Sequence, residues 1–252
     1  MSAVPAAQAP LESSYVLDGR EITTPVKVGR AVSASAIFLV SAKKARRFVP
    51  QHDLFPAEIL PGRAALCLKF TNYIDSDFGP YNELSMEFLV RPAGRSAKSS
   101  RFTDTLSFIR SALPSYVYRR FTNSPFAARA TNEIWGFNQT VGQVSVEAVG
   151  TRYQGKLVLD GQHVMSFSVP LGGRRVIPEN DQCIYSHVDG ELCEIATASA
   201  SEKVGVHLGG ARVTLGTHAY AGELGNLGLP KHALATVWRG KVSRRLDAPF
   251  PV

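Results

Sequence analysis

The chain of 252 residues is long enough to bury a core in one large domain or two small ones. With 44% hydrophobic and 19% charged residues it has a globular composition, which excludes a disordered chain. Its 28 basic and 21 acidic residues leave a net charge of +7, and 21 Gly with 15 Pro imply many turns.

In chain order, Ala34–Val40 is an apolar strand candidate. Ser41 is placed to cap a short helix over Ala42–Phe48, which Pro50 ends. Ala64–Tyr73 alternates as a strand, Glu83–Arg91 follows as another, and Thr103–Leu113 reads as a short helix stopped by Pro114. Tyr116–Phe121 is a further strand. Ser124 as a cap with Pro125 at the first helical position opens a helix to Trp135. Gln143–Val149, Arg152–Leu159 and His163–Pro170 form a meander whose last turn is Asp160–Gly161. Cys183–His187 and Leu192–Thr197 flank a second such turn, Asp189–Gly190, and Val204–Leu208, Ala211–Leu215 and Ala235–Ser243 complete the series. Many strands and few short helices predict a mainly antiparallel β protein, a barrel or double sheet, in one domain over residues 14–252. Residues 1–13 read as a flexible tail.

No run approaches the roughly 18 apolar residues that span a bilayer, and Met1–Pro10 lacks the charge and apolar segment of a secretory signal. Cys67, Cys183 and Cys193 are odd in number and stand at no metal spacing, so we expect a cytoplasmic protein with reduced thiols. Cys67 is expected to be buried, and Cys183 and Cys193 to stay unlinked although a hairpin brings them near. The basic pairs, such as Lys43–Lys44, Arg119–Arg120 and Arg244–Arg245, are dispersed, and no nucleic-acid-binding signature accompanies them. Neither nucleic acid nor membrane is expected as a partner. Part of the positive excess is available to attract small anionic substrates. There is no GxSxG elbow or P-loop, Gly205–Gly210 lacks the Rossmann spacing, and the six histidines are scattered.

Three segments stand out together. They are Phe78-Gly79-Pro80-Tyr81-Asn82-Glu83-Leu84, then Asn132-Glu133-Ile134-Trp135-Gly136-Phe137-Asn138-Gln139, then Gly216-Thr217-His218-Ala219 with Leu224-Gly225-Asn226-Leu227-Gly228-Leu229. In this order and spacing, and with Arg46-Arg47-Phe48-Val49-Pro50 ahead of them, they resemble the acetoacetate decarboxylase superfamily over about residues 28–250. The resemblance implies a closed or nearly closed antiparallel β-barrel with an internal cavity, no cofactor, and assembly into homo-oligomers.

That family's decarboxylases use a Pro-Lys-Lys motif after the segment matching Trp135-Gly136-Phe137. The first lysine forms a Schiff base and the second lowers its pKa; acetoacetate decarboxylase is itself the standard example of such an activated lysine. Here Asn138, Gln139 and Thr140 stand at those positions, and an amide nitrogen is not nucleophilic. The resemblance makes Glu83 the pocket glutamate, able to accept or donate a proton in an apolar cavity. Glu83 and Gln139 are therefore the catalytic candidates. Arg30, Asn138, Phe137, Trp135 and His218 are the substrate-binding candidates, and Glu133 is expected to accept hydrogen bonds where the helix meets the turn. Lys69 is the nearest replacement lysine, but alternation leaves its face open and a solvent-facing position is preferred; Lys156 and Lys98 are poorer. The expected function is an enzyme working by acid/base chemistry (lyase, hydratase/dehydratase or cyclase) on a small keto acid or polyketide-like substrate. A non-catalytic ligand-binding barrel is the alternative, followed by a decarboxylase using another lysine.

Overall fold

The structure, a computed structural model, describes residues 12–50, 52–93, 104, 107–108 and 113–252. In chain order its strands are β1 (Ser14–Leu17), β2 (Arg20–Thr23), β3 (Val26–Ser41), β4 (Leu54–Pro56), β5 (Glu58–Leu60), β6 (Arg63–Ser76), β7 (Tyr81–Pro92), β8 (Ser115–Thr122) and β9 (Gln139–Val141). They continue as β10 (Gln143–Val149), β11 (Arg152–Leu159), β12 (Gln162–Pro170), β13 (Arg175–Val188), β14 (Glu191–Leu208), β15 (Arg212–Leu215), β16 (Ala235–Leu246) and β17 (Phe250–Pro251). The helices are α1 (Ala42–Ala45), α2 (Pro125–Trp135) and α3 (Ala219–Asn226).

Seven strands close into a barrel in the order β7, β6, β3, β16, β14, β13, β8, with β8 pairing back to β7. Every neighbouring pair is antiparallel except β8 and β13, which meet in parallel at only Ile184↔Ser115 and Tyr185↔Tyr116. Beyond that short contact the same edge of β8 pairs with β9, so β9 fills the rest of the seam. Strands β10, β11, β12 and β15 form a second sheet.

The period of two along the long strands decides what faces what. Ala34, Phe38, Leu68, Phe70, Leu84 and Phe88 point to the outer face and share one core with Leu157, Met165 and Phe167 of the second sheet. Each fully buried Leu or Phe contributes about 1.5–3 kcal/mol relative to exposure. Gly155 lets the second sheet lie this close, because a Cβ there would stand 2.2 Å from the Phe70 ring.

The opposite faces line the barrel interior. Near α2 it is closed by an apolar cluster including Ala31, Tyr73, Tyr81, Val242, Trp135 and Phe137. At the other end Ala57, Ile59 and Ala65 are buried against Ile37, Leu39 and Leu89. A polar belt lies between them. One row of paired residues runs Arg239, Ser33, Thr71, Glu83, Thr122, and the next runs Val237, Ser35, Lys69, Ser85, Arg120, Gln139. Inner-face residues near α2 are buried, whereas Ile37, Cys67, Lys69, Val237 and Arg239 keep partial solvent contact. Among the described residues, the accessible surface inside the barrel therefore lies away from α2.

The main departures from the sequence expectations are local. The first helix stops at Ala45, short of Phe48, although Ser41 caps it as expected through Oγ and the Lys44 N–H at 3.4 Å. Helix α3 was not foreseen, since Gly222 and Gly225 weaken its pattern. Strand β14 is continuous where two strands were expected, because the small residues Ala198–Ser201 carry little β-branched signal. The tail is described only at Glu12 and Ser13, and the helix expected over Thr103–Leu113 lies mostly outside the described residues. None of the three cysteines is in a disulfide, but Cys193 is the buried one and Cys67 is only part-buried. Desolvation, then the charge of Glu87, pushes the Cys67 thiol up to about 11. Among the described residues no helix is long and apolar enough to cross a membrane.

Candidate active site

Local sequence delivers residue 139 to the interior. Helix α2 begins at Ser124, whose Oγ accepts the Ala127 N–H at 3.2 Å, with Pro125 in the first turn. It ends at Gly136, whose φ of 63° suits glycine and where a Cβ would stand 1.9 Å from the His187 carbonyl oxygen. Asn138 is also left-handed, at φ 49°, a conformation asparagine tolerates better than most residues. The two left-handed residues turn the chain so that Phe137 and Gln139 are buried while Asn138 and Thr140 are exposed. Asn132 fixes the result. Its Nδ2 donates to the Gln139 carbonyl at 2.9 Å and its Oδ1 accepts the Gln139 N–H at 2.6 Å.

Inside, Gln139 Nε2 donates to Glu83 Oε2 at 3.2 Å. A carboxylate only accepts, so the amide nitrogen faces Glu83 and Oε1 takes the Thr131 hydroxyl. The Tyr73 hydroxyl donates to Glu83 Oε1 at 3.4 Å, and Arg120 reaches Oε2 at 3.9 Å. Glu83 is 1% and Gln139 5% exposed, so these contacts are nearly dry. Burial, then the neighbouring Glu83, raises the Tyr73 pKa, which keeps the phenol protonated and a donor. The Arg120 guanidinium lies 3.9 Å over the Phe137 ring. Burial opposes its charge, but Glu83 and then Glu87 outweigh that and hold it protonated. Arg120 Nε has no hydrogen-bond partner among the described residues.

A second ion pair adjoins the first. Lys69 Nζ lies 2.8 Å from Glu87 Oε1, which also accepts the Ser85 hydroxyl at 2.8 Å. Burial alone would raise the Glu87 pKa, yet Lys69, then Arg120, then these hydrogen bonds bring it down to about 2. Lys69 thus faces inward, against the expectation of a solvent-facing lysine. Its polar neighbours Thr71 and Ser35 are interior as well, so here the polar face of the strand is not the wet one.

The sequence model of the acetoacetate decarboxylase family matches residues 9–245. The chain belongs to the acetoacetate decarboxylase family. Acetoacetate decarboxylase of Legionella pneumophila superposes with a TM-score of 0.64 at 15% identity, covering 99% of this chain and 92% of that one. MppR, an enduracididine biosynthesis enzyme solved with pyruvate, gives 0.61 at 15% identity, covering 97% of this chain and 98% of that one. An acetoacetate decarboxylase-like enzyme of Sphingomonas wittichii gives 0.57 at 10% identity, covering 90% of this chain and 92% of that one. At these identities the likeness is one of fold. No curated protein matches the chain.

Membership sharpens the departures around Gln139. The proline that the resemblance sets at position 138 would need φ near −65°, whereas Asn138 in this acetoacetate decarboxylase family member has 49°. Thr140, aligned with the second lysine, points outward; the cation paired beside Gln139 is Arg120 from β8.

Of the expected site residues, Glu83, Gln139 and Phe137 are brought together with Arg120. Trp135 is buried but belongs to the apolar end, its indole N–H donating to the Asp247 carbonyl at 2.8 Å and its ring 5.5 Å from that of Phe137. Three candidates stand elsewhere. Arg30 is exposed, at an irregularity of β3 opposite Asp75, because the bulge there re-aims the side chain. Asn138 is exposed for the reason given above. His218 caps α3, its Nδ1 accepting the Tyr220 N–H at 3.2 Å. Glu133 is an exposed partner of Arg129 at 2.6 Å, and Asn132 takes the helix–turn role expected of it. Lys156 is exposed on β11, and Lys98 lies outside the described residues. Sequence reasoning missed Arg120, Ser85 and Glu87. Their signal was the polar alternation of Glu83, Ser85 and Glu87, which on an antiparallel strand reads as a solvent face.

Proposed function

We propose that this protein is an enzyme that performs acid/base chemistry on a small keto acid or polyketide-like substrate without a Schiff base, as a lyase, hydratase/dehydratase or cyclase would. The observation that carries the reading is the buried contact of Gln139 Nε2 with Glu83 Oε2 at 3.2 Å, next to the Arg120 guanidinium. Glu83, ringed by donors, is presented as a proton acceptor. It takes a proton from the carbon beside the substrate carbonyl; the C–H electron pair becomes the enolate, whose charge rests on oxygen. Gln139 has a second N–H and Arg120 an unused Nε–H, and both are available to that oxygen. Preorganised donors at a developing oxyanion are a major source of rate enhancement. Return of the proton, or loss or addition of water at the adjacent carbon, completes the reaction.

The family fold supports the reading, as does MppR, which has been solved with pyruvate. A decarboxylase route through Lys69 is not favoured. Imine formation needs a free amine lone pair, and the Lys69 amine is engaged by a carboxylate that remains ionised down to about pH 2.

The test is exchange of the pyruvate methyl protons with solvent deuterium, followed by proton NMR. The wild-type protein should accelerate exchange, Glu83→Gln should abolish the acceleration, and borohydride should trap no adduct. A protein that binds pyruvate with no acceleration would instead be a ligand-binding barrel.

A further inference from the structure

Two cations of the barrel wall are left over by the site described above. Arg239 and Arg244 come from β16, on the inner-face register that also carries Val242, which packs in the apolar cluster near α2. Lys69 and Arg120 already answer Glu87 and Glu83. No carboxylate among the described residues pairs with either β16 arginine, and Arg244 Nε is buried with no hydrogen-bond partner. Burial, then the like charge of Arg244, works against the charge on Arg239. Part-buried guanidinium groups without a counter-charge carry a desolvation cost, and like charges close together add to it. The wall beside them is made of short hydroxyl side chains, since Ser33 pairs with Arg239 and Ser199 with Arg244. Serine hydroxyls can donate to an anion.

We propose that Arg239 and Arg244 form an anion-binding subsite inside the barrel that takes a carboxylate of a small organic acid. Planar guanidinium groups suit a carboxylate through paired N–H donors. Arg239 retains partial solvent contact in the accessible part of the interior, where an acid can reach it. It also shares a row of paired residues with Glu83, so one ligand held at this subsite can extend its carbonyl along the wall toward Glu83 and Gln139. For that last step the inference rests on the catalytic reading above, whereas the subsite itself does not. The substrate class is then an oxo acid with a carboxylate remote from the reacting carbonyl.

The test is calorimetric titration of the full chain with 2-oxoglutarate, with acetone as an uncharged ketone control. 2-Oxoglutarate should bind the wild type, and Arg239→Gln and Arg244→Gln should each weaken it roughly tenfold or more, as expected for a lost charged hydrogen bond. Glu83→Gln should retain most of the affinity. Absence of binding to the wild type, or wild-type affinity in either arginine variant, overturns the subsite. Arginine-dependent binding without pyruvate proton exchange would leave the subsite standing and remove the catalytic reading alone. If a variant does not fold, the Arg244 Nε–H resonance of the wild type decides: it should shift on addition of 2-oxoglutarate, and an unmoved resonance overturns the proposal.

Discussion

Asn132 holds Gln139 by both backbone polar groups, through contacts of 2.9 Å and 2.6 Å. One side chain thereby sets the register of the segment that enters the barrel seam. Asn132→Ala should destabilise the fold by about 1–3 kcal/mol, since it removes both partners of that backbone. Asn132→Asp keeps the acceptor for the Gln139 N–H and should cost less. Urea unfolding of the two variants checks the order, and a larger loss in Asn132→Asp would contradict it.

The turn at Asn138 gives a sharper test, because its backbone forbids the family residue. Asn138→Pro demands φ near −65° in place of 49° and should cost about 3 kcal/mol or more. Asn138→Gly should be near neutral, since glycine adopts that conformation freely. A stable proline variant, judged by its urea midpoint, would show that the fold does not require the left-handed turn at residue 138.

Gln139→Lys should place an amine beside Glu83. That carboxylate will hold the new ammonium as an ion pair, so adducts with pyruvate trapped by borohydride should form slowly. Gln139→Lys with Glu83→Gln frees the amine and should trap faster, with Arg120 as the neighbouring cation that favours the neutral form. Adding Thr140→Lys should change little, since residue 140 is exposed. Intact-mass measurement after reduction reads all three; equal absence of adducts in folded proteins would place residue 139 away from ligand.

Glu87 predicts an acid-sensitive step in stability. Its pKa falls from 4.5 to about 2 on folding, so its contribution is complete above pH 4.5 and disappears as pH falls through about 2. The shift corresponds to about 3 kcal/mol. Glu87→Gln should flatten that part of the pH profile, measured by chemical denaturation between pH 5 and pH 2. Lys69→Met at neutral pH takes the nearest counter-charge from a buried carboxylate and should be costlier than Lys69→Met with Glu87→Met.

The legible parts of the molecule were those written locally. Ser124-Pro125 and Gly136 fix both ends of α2, and Asp160–Gly161 and Asp189–Gly190 mark hairpins, because caps and left-handed turns depend on a few adjacent residues. Gln139 and Glu83 were found through the family resemblance, since no local rule links positions so far apart in the chain. Lys69 was misjudged for a physical reason. A closed barrel reverses the usual meaning of alternation when a second sheet covers its outside, so Leu68 and Phe70 face outward into a core while Lys69 faces inward. Arg30 and His218 matched by order along the chain, but a bulge in one case and a helix cap in the other turned them to different tasks.

The parallel contact of β8 with β13 involves two residue pairs, against the long antiparallel ladders elsewhere in the ring. A barrel is only as tight as its shortest stave joint. Amide protons along this seam should exchange with solvent ahead of those between β3 and β6, because fewer bonds must part for the wall to breathe. Gln139 sits on the strand that completes the joint. The residue to which we assign the substrate contact thus lies on the joint with the fewest bonds across it, where a ligand could adjust its aim at little expense to the rest of the ring.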